Sequence, residues 1–149
     1  MKHVLVIHGP NLNLSGYRNK EVYGPLTLGE INQRIEKFAK DKGIDIEIFQ
    51  SNNEGEIIDK IENIYDNGKV IFDAVVINPG AYTHYSYAIR DAIEACEIPC
   101  VEVHMSNIYG REEFRNKSVI APVCKGQISG FGVKSYLLAI EALISENNN

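Results

Sequence analysis

The segment VEVHMSN places Glu102 and His104 two residues apart, and on a β-strand that spacing points both side chains to one face. A carboxylate beside an imidazole holds its tautomer and favours the protonated form, which suits a proton donor. The same spacing also suits a histidine merely satisfied at a strand end. Earlier in the chain, IHGPNLNLSGYRNKEVYG (7–24) carries Arg18 and Tyr23. A phenol acts as a base near neutral pH only where its phenolate is stabilised, and a nearby guanidinium can do that. A plain surface contact among Tyr17, Arg18 and Tyr23 is the alternative. Asn11, Asn78 and Ser106 can fix hydroxyls or an ordered water without carrying charge, and Arg115 in REEFR can clamp a carboxylate through paired N–H bonds. Together with His84 and Arg18 they describe a pocket for a small polyhydroxylated acid. In isolation REEFRNKS is a solvated charged stretch, but its nearness to VEVHMSN argues for the pocket.

Groups so far apart in sequence need a fold that gathers them. Apolar or β-branched runs bounded by turn residues predict strands at 3–8, 44–50, 72–79, 98–104 and, less clearly, 124–130. Helix-period segments lie between them at 27–43, 54–68, 86–97 and 132–146. In the first, Leu28, Ile31, Ile35 and Phe38 form one apolar stripe, Thr27 with Glu30 makes a capping box, and Gly43 stops the helix. Strands alternating with helices predict a five-stranded, doubly wound parallel sheet of α/β class, in flavodoxin-like order 2-1-3-4-5, with helices on both faces. VVIN is apolar until its last residue, as a strand buried on both faces should be. In this order ligands bind beyond the carboxyl ends of strands 1 and 3, where the order reverses. Strand 1 runs into HGPNLN, strand 3 into NPGAYTH and neighbouring strand 4 into EVHMSN, so three polar strand ends converge on one cleft. Residues 7–24 show no helical period and exceed the usual length of a connection, so they read as a functional loop with a lid at about 17–24.

The chain of 149 residues suits one catalytic domain, 1–149, with a frayed terminus at about 146–149. A net charge of −5 offers no basic stripe, so neither nucleic acid nor a membrane surface is an expected partner. No apolar stretch approaches a membrane span, and Met1 to Gly9 lacks a signal-peptide pattern, which points to the cytoplasm. The 3 cysteines, Cys96, Cys100 and Cys124, form no CxxC pair and read as reduced thiols. A zinc site of Cys96, Cys100 and His104 fails on distance, because residues four apart on a strand stand roughly 13 Å apart. GQISGFG (126–132) opens the last helix instead of following strand 1, so it reads as a tight turn with close packing. A flavin or nucleotide carrier on this fold would need phosphate donors after strand 1, where GPNLNLSGYR offers proline and Asn-Leu pairs. A phosphoryl-accepting signalling module would need an acidic cluster there, and none is present.

IHGPNLNLSGYR…EVYG, QSNNEGEIID, INPGAYTHYSYAIRDA, VEVHMSNIYGREEFR and GQISGFGVKSYLLAIEAL, in this order, resemble type II 3-dehydroquinate dehydratase across nearly the whole chain. The resemblance implies a flavodoxin-like protomer, a homododecamer built as a tetramer of trimers, and no metal or organic cofactor. It also implies trans elimination of water from 3-dehydroquinate to give 3-dehydroshikimate, in aromatic biosynthesis or quinate breakdown. Carried over by position, Tyr23 is the base, Arg18 its activator, His104 the general acid with Glu102 as partner, and Asn11 the holder of a water near the enolate. Asn78, His84, Ser106 and Arg115 fall on substrate-binding positions, the backbone around Met105 and Ser106 receives the carboxylate, and Asp91 reaches a neighbouring subunit's site. The lid departs from the family's usual GTREPEIYG: it reads GYRNKEVYG, with Tyr17 for a small residue and Asn19-Lys20 for Glu-Pro. Tyr109-Gly110 and Tyr85 are further departures, and none removes a proposed catalytic group.

Overall fold

The computed structural model describes residues 2–145; the terminus expected to fray, 146–149, lies outside the described residues. Five parallel strands form one sheet in spatial order β2-β1-β5-β6-β7: β1 (His3–His8), β2 (Asp45–Gln50), β5 (Ala74–Asn78), β6 (Cys100–His104) and β7 (Gly126–Ser129). With the small separate hairpin β3 (Tyr65–Asp66) and β4 (Lys69–Val70) set aside, this is the expected doubly wound order. The central strands β5 and β6 are buried at every position, so an apolar run there needs no alternation.

Helices cover both faces. α2 (Leu28–Asp41) and α5 (Lys134–Ser145) bury Ile31, Ile35, Ala139 and Ile140 against Val4, Val6, Val76 and Val103. α3 (Glu54–Glu62) and α4 (Tyr87–Cys96) bury Ile57, Ile61, Ile89 and Ile93 against Leu5, Ile7, Val75 and Ile77 on the opposite face. Alternate residues of β1 and β5 thus feed two separate cores, as the two-residue period of a strand requires. Among the described residues no helix is long and apolar enough to cross a membrane.

Two expectations need correction. The helix expected over 54–68 ends at Glu62; Tyr65–Asp66 (β3) and Lys69–Val70 (β4) then pair antiparallel around Asn67 and Gly68. Asn67 and Gly68 have φ of 50° and 79°, the left-handed pair that a two-residue hairpin turn demands, so Asn-Gly overrides the helical period of the preceding residues. The loop over 7–24 is also not irregular throughout. It holds a 3-10 turn at Leu12–Leu14 and a one-turn helix, α1 (Lys20–Tyr23). Asn19 caps α1, its side chain accepting from the Glu21 N–H, so a residue that departs from the family's usual pattern shapes this segment itself. Elsewhere the elements sit within a few residues of expectation; the uncertain last strand is β7, and it begins at Gly126.

Candidate active site

The carboxyl ends of β1, β5 and β6 open on a cleft of about 160 Å³. Strand geometry explains which groups reach it. Gly9 follows β1 and donates its N–H to the Asn78 carbonyl at 2.7 Å, and a Cβ on Gly9 would lie 2.7 Å from the Pro79 carbonyl group. Only glycine allows the ends of β1 and β5 to approach so closely. Just beyond, Asn11 takes a left-handed conformation with φ of 68°, one that asparagine tolerates better than most residues. Its N–H donates to Asn52 Oδ1 at 3.0 Å, and the Asn52 carbonyl accepts from Tyr82 Oη at 2.7 Å. The β2 end therefore braces the residue that turns the first loop into the cleft.

Tyr23, at the end of α1, lines the same cleft from the loop that follows β1. Its phenolic oxygen accepts from Arg18 Nη2 at 3.0 Å and from Arg111 Nη2 at 2.8 Å. The two guanidinium carbons lie 4.0 and 4.9 Å from the ring centroid. Two guanidinium donors thus place two positive charges against one phenolic oxygen. Arg111 was not singled out from the sequence. GREEFR holds two arginines, but no periodicity tells which of them meets a tyrosine 88 positions earlier. Arg111 Nη1 also reaches Ser106 Oγ at 3.4 Å, tying the Tyr23 contact to the end of β6.

His104 and Glu102 project to one face of β6, as their spacing predicts. His104 Nε2 donates to Glu102 Oε2 at 2.7 Å, which leaves Nδ1 as the ring nitrogen for the cleft that His104 lines. Glu102 is fully buried and also accepts from Ser118 Oγ at 2.6 Å and from Gln127 Nε2. Burial pushes its carboxyl pKa up, but the hydrogen bonds and charge of His104, with Ser118 and Gln127, outweigh this and leave it below the ordinary value. A buried carboxylate with three donors stays charged and holds the imidazole in one orientation. Ser118 and Gln127 escaped the sequence reading because their role exists only where β7 pairs with β6 and the 118–121 turn closes over Glu102.

The other expected residues divide in two. Asn78, His84, Met105, Ser106 and Arg115 line the cleft. His84 Nδ1 donates to the Lys117 carbonyl at 2.8 Å, leaving Nε2 free of that contact. Arg115 spends its Nε on Glu112, so only its terminal nitrogens remain for a ligand. Asp91 lies exposed on α4 and does not line the cleft of its own chain. Cys100 and His104 stand at opposite ends of β6, which keeps them from sharing a metal. All three thiols are free.

Residues 2–144 match the family model described as dehydroquinase class II. The chain is 62% identical over 143 residues to a 3-dehydroquinate dehydratase of Caldicellulosiruptor bescii, covering 96% of this chain and 97% of that one. Its fold superposes on the type II dehydroquinase of Butyrivibrio crossotus with a TM-score of 0.92 at 52% identity, covering 96% of this chain and 97% of the other. The type II dehydroquinase of Propionibacterium acnes superposes with a TM-score of 0.90 at 39% identity, over 97% of both chains.

Proposed function

This chain belongs to the class II dehydroquinase family, and we propose that the cleft dehydrates 3-dehydroquinate to 3-dehydroshikimate with Tyr23 as base and His104 as acid. The activity is that of a hydro-lyase of the shikimate pathway. The observation that carries the assignment of roles is the phenolic oxygen of Tyr23, held by two guanidinium groups, lining the same cleft as His104, whose ring is held by Glu102.

The Tyr23 phenolate takes a proton from the carbon beside the substrate ketone, and the electron pair passes to the ketone oxygen as an enolate. A water held by Asn11 donates to that oxygen. As the enolate collapses, the carbon–oxygen bond to the leaving hydroxyl breaks and His104 gives it a proton, so water departs and the conjugated enone forms. Tyr23 ends protonated and His104 neutral; one proton passed back between them through water resets the site. Glu102 holds the ring in one orientation before and after the transfer. Asn78, His84 and Ser106 bind the substrate's hydroxyls and carboxylate, with the Met105–Ser106 backbone and Arg115. Residues 17–24 close as a lid, because Arg18 and Tyr23 both ride on that segment.

Asp91, exposed on α4, reaches the site of a neighbouring copy in a homododecamer of four trimers, and the protein works in the cytoplasm as a single catalytic domain needing no cofactor. The direct test mixes purified protein with 3-dehydroquinate and follows the enone in the ultraviolet, with and without a chelator. Product forming at the same rate in both is expected; no enone overturns the activity, and loss of rate with chelator overturns the cofactor-free chemistry.

A further inference from the structure

Asn78 is held from behind by buried polar groups that the chemistry above does not use. Its Nδ2 lies 2.9 Å from Tyr136 Oη on α5; that oxygen lies 2.9 Å from His8 Nδ1 at the end of β1; and His8 Nε2 lies 2.8 Å from Asn32 Oδ1 on α2. Tyr136 and His8 are fully buried and Asn78 nearly so. At the other end, the Gly80 N–H donates to Asn78 Oδ1 at 3.1 Å.

One backbone group assigns every proton in this chain. A peptide N–H can only donate, so the Asn78 amide must turn its oxygen to Gly80 and its nitrogen to Tyr136. Tyr136 Oη accepts there, and its own proton goes to the other polar atom in reach, His8 Nδ1. His8 is then protonated on Nε2 and donates to Asn32. Any reversal sets two donors face to face or leaves a buried hydroxyl proton without an acceptor, at the cost of an unmade buried hydrogen bond. A neutral His8 agrees with its burial, which lowers its pKa to about 4 against the hydrogen bond it donates to Asn32, which raises it.

We propose that Tyr136 and His8 are positioning residues that lock the orientation of the Asn78 amide, and with it the hydrogen-bonding face the cleft presents to substrate at that point. The Gly80 N–H fixes which way the amide faces and Tyr136 Oη fixes where its nitrogen sits; without that hydroxyl the amide is held at one end alone and can tilt away from the substrate. The proposal rests on the reading of Asn78 as a substrate-binding residue.

Steady-state kinetics with 3-dehydroquinate on Tyr136→Phe, Asn78→Ala and the double variant test it. Asn78→Ala should raise KM about tenfold, Tyr136→Phe should raise KM severalfold with a smaller change in kcat, and the double variant should be no worse than Asn78→Ala. Mere destabilisation would reduce active enzyme and so kcat, leaving KM alone. An unchanged KM in Tyr136→Phe, or additive effects in the double variant, overturns the lock while leaving Asn78 a binding residue. An unchanged KM in Asn78→Ala overturns that binding role, and the lock with it. The wild-type protein supplies a measurement that needs no variant to fold. Nitrogen-15 spectra of the His8 imidazole should show protonation on Nε2 alone at neutral pH, and protonation on Nδ1 overturns the chain.

Discussion

Tyr23 meets two guanidinium groups of different origin, Arg18 from its own lid and Arg111 from the loop after β6. Tyr23→Phe keeps the ring between them and deletes the base, so kcat should fall about 10² to 10⁴-fold, the weight general-base catalysis usually carries. Arg18→Ala and Arg111→Ala each leave the base but remove one of two donors to its charged form. A hydrogen bond to a charged group is worth about 1.5–3 kcal/mol, so each should lower kcat at neutral pH roughly tenfold to a hundredfold. Steady-state turnover of the three variants checks this, and near-normal turnover in Tyr23→Phe would move the base elsewhere. Gln127→Leu removes one of the three donors to Glu102 and should lower kcat while leaving KM close to wild type, since Glu102 acts through His104.

The contact between the ends of β1 and β5 sets the shape of the site. Gly9 passes so close to Pro79 that a methyl group there has no room, its nearest neighbours being backbone atoms, which cannot swing aside. Gly9→Ala should therefore push the two strand ends apart and cost about 1–3 kcal/mol, read as a lower urea midpoint. It should also raise KM, because Asn11 and Asn78 stand on the two displaced ends. An alanine tolerated without change in either would mean that the loop, not the strand pair, holds the site. The one-turn helix α1 is held by few contacts of its own: Asn19 caps it, and Arg18 and Arg111 fasten its last residue, Tyr23. A segment pinned chiefly by the polar groups that would meet substrate is suited to open and close.

Burial of a neutral His8 between the sheet and α2 and α5 ties the stability of the whole molecule to pH. In the unfolded chain its pKa is the ordinary 6.5, and in the folded protein about 4, so between those values the unfolded state binds a proton that the folded state does not. Stability from this group is complete above pH 6.5 and is lost as pH falls toward 4, by about 3 kcal/mol in all. Denaturant titrations at a series of pH values should show this slope, and His8→Asn should flatten it. An equal slope in the variant would assign the acid sensitivity to other groups, such as Glu102. Assembly belongs to the same scale. If Asp91 reaches a neighbour's cleft, light scattering should return about twelve times the 16.7 kDa chain mass, and Asp91→Ala should lower activity without disturbing the cleft of its own chain. A fully active monomer would end that reading.

The strand order, the two helical layers and the convergence of three strand ends were legible in the sequence, because each rests on periodicity and turn residues that act over a few positions. The pairing of Glu102 with His104 was legible for the same reason: two residues on one strand share a face whatever the rest of the chain does. The hairpin at 65–70 carries its own signal in Asn-Gly, but the helical period of the residues before it runs on into that turn and masks it. Arg111 on Tyr23, Ser118 and Gln127 on Glu102, and the chain from Gly80 through Asn78, Tyr136 and His8 to Asn32 were decided only by tertiary structure. Each joins side chains from different elements through hydrogen bonds only a few ångströms long. Their geometry is set by how helices seat on the sheet and how loops close over its edge, and no local pattern along the chain encodes that distance.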